Sequence, residues 1–412
     1  MEQFTLPTRM RNIIYTLIGI GVLSLIMGVV NVMGAEEAEH HHAVQRLWGN
    51  ILINGLFFFG IALMGTFFMA VQYAAESAWA VTVKRVFEAV SQYVYVGALV
   101  LLVVFAAGAM HLHHLYHWMD PNLYIEFLAD GSLNPEYDEI IAGKSAFLNQ
   151  PFFWARALLF MGVYIWFTRR FRKRSLEEDM SGGTSLHYNN VRDAAIFLVF
   201  FGFTSMVASW DWIMSIDTHW FSTLFGWYVF SGWWISAMVV FLLLVLYLKS
   251  KGLMQQVNES HVHDLGKWMF AVSFLWSYLF FSQFMLIWYS DIPEEVTYYI
   301  ARIDHYRWLF WGMFAVNFIF PMLFLMDRDN KRNKGYLVTI GFIILFGHWL
   351  DTFLLVVPGT QHADWHFGAF EIGLMLGFAG LFLFVVTRAL SKAPVVVKSH
   401  PFLDESVHHE IH

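Results

Sequence analysis

Apolar runs of about 20 residues, separated by polar breaks, recur along the whole chain. A bilayer's hydrocarbon core is ~30 Å thick, and a helix rising 1.5 Å per residue needs about 20 apolar residues to cross it. The pattern predicts ten spans, over 11–34, 48–75, 90–116, 151–169, 193–217, 220–248, 265–290, 305–326, 335–357 and 367–390. Small residues such as Gly19, Gly21, Gly55, Gly60, Gly65 and Gly97 recur inside them, as expected where helices approach closely in lipid. Tryptophans such as Trp48, Trp154, Trp268 and Trp308 sit near predicted ends. The first run is too long for a signal-peptide core and lacks a small-residue cleavage site, so it reads as a retained helix. The expectation is an all-α polytopic membrane protein: a ten-helix domain over 1–391, an outward insertion at about 117–150, and a polar tail over 392–412.

Composition agrees, with 58% hydrophobic and 14% charged residues against roughly a quarter charged in soluble domains. Net charge is −7 and basic residues cluster in particular loops, which argues against nucleic acid as a partner. The chain has no cysteine, which removes disulfides, covalently attached haem and thiolate-held iron–sulfur clusters from this subunit. Of 25 Lys and Arg, only Arg46, Lys144, Arg156, Arg302 and Arg307 fall in one set of alternate loops. By the positive-inside rule both termini are cytoplasmic.

Ionisable residues within spans are costly, at ~2.5–3.5 kcal/mol or more, so they are candidates for function. The stretch "SWDWIMSIDTHW" places Asp211 a turn or two inside the outer surface, while Asp217, His219 and Trp220 read as a helix end with an aromatic anchor. "AGAMHLHHLYHW" puts His111 and His114 on one helical face, and His113 and His117 on another, a set suited to proton exchange or quinone hydrogen bonding. "FGHWLDTF" sets His348 and Asp351 one turn apart near mid-membrane, a proton-relay spacing. Glu371 lies about a turn inside the outer face, and Glu76 and Glu88 stand where the mouth of an inner half-channel would be. The run His40–His42 reads as a solvated loop, and no metal-ligand spacing is present.

The segment "SWDWIMSIDTHWFSTLFGWYVFSGWW", with the ten-span layout, resembles the NrfD / polysulfide-reductase membrane subunits, in particular those of alternative complex III, a quinol:cytochrome c oxidoreductase. The chain's modest length matches the second of the two such subunits. The resemblance implies two four-helix bundles, spans 2–5 and 6–9, with flanking first and last helices. It implies a quinol pocket at the periplasmic end of the first bundle, where His111, His113, His114, Arg156 and Asp211 lie. It implies partners as well: a paralogous membrane subunit, a periplasmic iron–sulfur subunit, c-type cytochrome subunits, lipids and a terminal oxidase. Iron–sulfur clusters and c-type haems then belong to those partners, with quinol, of menaquinol type for example, as substrate. On this reading Asp211 with His111 or His114 accepts quinol protons, and His348, Asp351, Glu371, Glu76 and Glu88 carry protons. A proton-coupled transporter, a haem-b anchor and a passive scaffold stay open as alternatives.

Overall fold

The computed structural model describes residues 3–410. Among them there is no β-strand, only two isolated bridges. Ten helices among the described residues are long and apolar enough to cross a membrane, so the chain is an all-α, multi-pass membrane protein. The crossings are α1 (Thr8–Gly34), α2 (Glu37–Ala74), the nearly continuous α3 (Lys84–Ser91) and α4 (Val94–Ala109), then, after a short α5 (Glu139–Gly143), α6 (Gln150–Ser181), α7 (Ser185–Trp212) and α8 (Phe225–Ser250). They continue with α9 (Glu259–Ser290), a short α10 (Pro293–His305), then α11 (Arg307–Phe314) leading through a π-turn at 315–319 into α12 (Phe320–Leu325), α13 (Lys334–Gln361) and α14 (Ala369–Leu390). A last short helix, α15 (Leu403–Val407), lies in the tail.

Burial sorts these helices. The apolar window of α2 is 94% buried and that of α8 83%, against 22% for α1. Helix α2 packs against α4, α7, α8 and α13; α6 packs on α7, and α9 packs on α8. The first and last spans pair with each other. A Cβ at Gly21 would run into the Cα of Gly377, so only glycine at this crossing lets the two backbones meet.

Several expected boundaries move. The second helix begins at Glu37 rather than 48, so His40–His42 form helical turns and not a loop. The third span stops at Ala109 rather than 116, because the chain turns at Met110 and His111 takes a left-handed backbone, φ 57°. The shared helical faces expected for His111, His113, His114 and His117 therefore do not exist. At the basic end α6 runs on to Ser181, carrying "RRFRKRSLEED" as helix beyond the apolar stretch. Hydropathy registers the lipid-crossing part of a helix and is blind to a charged extension.

The insertion after α4 folds back on the helices through buried Trp118, Met119, Leu123 and Ile141. The tail is a strap over the basic end: Lys398 N donates to Asp179 (2.7 Å), His261 Nε2 meets Ser406 O (3.0 Å), and His409 pairs with Asp264 (2.6 Å).

Candidate proton-transfer site

The buried acid of α13 is the centre of the arrangement. Asp351 is 5% exposed and receives hydrogen bonds from the Tyr228 hydroxyl of α8 and from Trp276 Nε1 of α9, the latter at 3.0 Å. A buried carboxylate needs such donors. One turn earlier, His348 is 1% exposed and lies with Nδ1 3.9 Å from Asp351 Oδ2, beyond hydrogen-bond length. Neither ring nitrogen of His348 has a protein partner. Leaving a buried polar group unsatisfied costs ~1–3 kcal/mol, so such a group calls for an explanation.

The π-turn supplies a third polar group. It carries Asn317, which is fully buried with neither amide atom partnered. The extra residue in a π-turn swings one side chain inward, and such turns are frequent at functional sites. Gly347, beside His348, makes the room: a Cβ there would clash with Asn317 Oδ1.

Toward the end opposite the basic loops, a small cavity of about 20 Å³ is lined by Asp351, Tyr228, Gln283, Tyr298, Tyr299 and Arg302, room for a water molecule. Gln283 Nε2 donates to Tyr299 (3.0 Å), and Ser222 Oγ donates to Gln283 (3.2 Å). Burial pushes the Tyr298 and Tyr299 hydroxyls well above the usual phenol range, so at neutral pH they act as hydroxyls.

Arg302 and Tyr298 also line a second, wider cavity of about 770 Å³ at this far end. Its wall holds His41, His42, His114, His117, His219 and His362 with Asp120 and Asp217. Arg302 is fixed three ways: to Asp217 (3.1 Å), to Tyr298 O (2.9 Å), and through Nε to Leu354 O (3.1 Å). The last bond has a sequence cause. Pro358 lies four residues beyond Leu354 and has no N–H, so that carbonyl is free to accept from Arg302. The guanidinium lies over the Tyr298 ring at 3.3 Å, and Tyr298 stacks on Trp220 at 3.8 Å.

The residues expected at the quinol pocket take other places. Asp211 is fully buried and binds Arg156 through two hydrogen bonds, 2.6 and 2.8 Å. Arg156 also donates to Phe147 O (3.1 Å) and lies between the Phe147 and Phe152 rings. This is a closed ion pair, with both carboxylate oxygens engaged. His113 is buried as well. Its Nδ1 accepts from Leu115 N (3.2 Å), so Nε2 donates to Val104 O (2.9 Å), and burial pushes its pKa down to about 4. His111 and His114 are exposed; His114 stacks on His41 at 5.8 Å between ring centres and faces the wide cavity, while neither bonds Asp211. The structure thus joins Arg156 to Asp211 but separates both from the exposed histidines.

Glu371 is fully buried, paired with Arg46 (2.7 and 3.0 Å), and caps Gly368 N (2.8 Å) at the start of α14. Glu88 is fully buried at the basic end, bound by Arg85 (2.5 Å), while Glu76 is exposed on the turn after α2. The two do not form one mouth. Sequence spacing found the His348–Asp351 pair, but it missed Tyr228, Trp276, Asn317 and Arg302, and it set aside Asp217 and His41. Inward-facing polar residues in apolar helices were the available signal for Tyr228 and Asn317.

In a scan against protein-family models nothing matches this chain, and no curated protein matches it.

Proposed function

We propose that the chain is a proton-conducting membrane subunit of a respiratory quinol:cytochrome c oxidoreductase, or of one serving a similar periplasmic acceptor. Within that reading it belongs with the NrfD-like subunits of alternative complex III, in a bacterial inner membrane with both termini in the cytoplasm. The observation that carries the proton role is the unpartnered, buried His348 beside Asp351, whose small cavity shares Arg302 and Tyr298 as wall residues with a wider, histidine-walled cavity. A carboxylate and an imidazole are the side chains best able to pass protons in turn. The contacts of α2 with α4, α7, α8 and α13, of α6 with α7 and of α9 with α8 are in keeping with the two-bundle arrangement.

Quinol oxidation yields two protons with two electrons, so a quinol site needs proton acceptors at its edge. The wide cavity falls within the ~300–1,000 Å³ of small-molecule sites and offers six imidazoles and two carboxylates. Electrons leave through partners that carry iron–sulfur clusters and c-type haems, in keeping with a chain that has no cysteine. Arg302, fixed by Asp217, holds a positive charge at the junction of the two cavities and sets the field a proton meets on its way to Asp351.

Purification through a tag on this subunit tests the assignment. The expected result is co-purification of a haem-bearing complex that reduces cytochrome c with quinol. Recovery of the chain free of haem and iron–sulfur partners, with no such activity, overturns it and favours a proton-coupled transporter.

A further inference from the structure

The basic end holds a second set of unpartnered ligand atoms, remote from the proton path. Glu178 in the last turns of α6, His187 in the first turn of α7 and His400 in the tail are all buried. One ligand atom of each lies within 4.8 Å of the others. Neither ring nitrogen of His187 has a hydrogen-bond partner, nor does Glu178 Oε1. His400 uses only Nδ1, which accepts from Phe402 N (3.2 Å). The two imidazoles stand edge to face with ring centres 4.9 Å apart, beside a cavity of about 20 Å³.

We propose that Glu178, His187 and His400 bind a divalent cation of the zinc class and so clip the tail to the helix bundle. Two imidazoles and one carboxylate are a common zinc donor set, which leaves a fourth position for water. Carboxylate and imidazole without thiolate suit zinc better than copper(I). The donors are already gathered: Lys398 N binds Asp179, and the Ser406 hydroxyl binds Trp79 O (3.1 Å), which fixes the tail on both sides of His400. Sequence spacing could not show this site, because its ligands lie on two helices and a tail.

Two cationic side chains lie near the site, of which Arg85 is already taken up by Glu88 and Asp179, leaving Lys84 as the rival to the cation. Lys84 Nζ lies 3.7 Å from Glu178 Oε2 and 3.9 Å from Glu88 Oε1, with no hydrogen-bond partner. Binding requires the ammonium to yield Glu178 and lean on Glu88. That competition gives the site a signature which a packing role lacks.

The test is a zinc titration of the purified, chelator-stripped protein in competition with a chromophoric chelator, with limited proteolysis of the tail in parallel. The wild type is expected to bind one zinc tightly and to protect its tail further when zinc is added. His187→Ala and His400→Ala are each expected to weaken that binding by on the order of 100-fold, given that loss of mere supporting contacts already costs 10–100-fold. Lys84→Met keeps every ligand and removes the rival charge; it is expected to tighten binding about tenfold, the effect of ~1.4 kcal/mol of relieved repulsion. Exposed histidines such as His408 contribute a weak background common to all variants. Tight binding that persists in the His187→Ala/His400→Ala double variant, or an affinity unchanged by Lys84→Met, overturns the proposal. So does a wild type that shows only the weak background.

Discussion

Arg156→Ala is expected to be among the most destabilising single substitutions in this protein. It would leave Asp211, which is fully buried, as a carboxylate without its counter-charge. Breaking a buried ion pair from one side costs about 3–5 kcal/mol, whereas replacing both partners by apolar groups of similar size is often neutral. The double variant Arg156→Met/Asp211→Leu should therefore recover most of the loss, measured as the melting temperature and the yield of assembled subunit in detergent. Asp211→Asn alone, which keeps the shape and weakens the pair, should fall between. If the double variant assembles well yet stops quinol oxidation, the pair is part of the reaction; on the present geometry it acts as a clamp between α6 and α7.

The second large effect is expected at a residue with no side chain. Gly347→Ala would drive a methyl group into Asn317 Oδ1 and to 2.6 Å from Val316 Cγ1, on the π-turn. Overpacking of this kind costs about 1–3 kcal/mol. The greater consequence is positional, since the relief is to displace the buried Asn317 amide or to undo the π-turn. A misplacement of about 1 Å can cost on the order of 100-fold in a positioned reaction. Proton transfer through the chain should therefore drop by on the order of 10–100-fold while every titratable group remains. Gly341→Ala is the control: it lies on the same helix, and its added Cβ meets Val239 Cγ1 at 3.3 Å, a tight contact that a shift of a few tenths of an ångström by that side chain relieves. Equal rates for Gly347→Ala and wild type would mean that Asn317 has no part in the path.

Much of the fold was legible because lipid imposes it. About 20 apolar residues must be helical in a bilayer, and the ten crossings follow. The ends were less legible, since the charged run after Phe171 remains helical and the chain leaves α4 at Met110 with the left-handed position taken by His111 rather than by a glycine. The site divides in the same way. His348 and Asp351 share a helical face by local spacing, so the sequence revealed them. Tyr228 and Trp276 reach Asp351 from helices far away in the chain, and Arg302 depends on a carbonyl released by Pro358. Asp211 and Glu371 show the opposite error. An acid in an apolar segment flags importance, and only the packing shows that Arg156 and Arg46 already claim these two.

Passage of protons through Asp351 is the step on which the proposed function turns. The most direct measurement is the number of protons released per electron during quinol-driven cytochrome c reduction, by the intact complex in vesicles, for wild type and Asp351→Asn. The variant is expected still to reduce cytochrome c but to release only the protons supplied by quinol itself. An unchanged ratio, with the subunit present and folded, would contradict it.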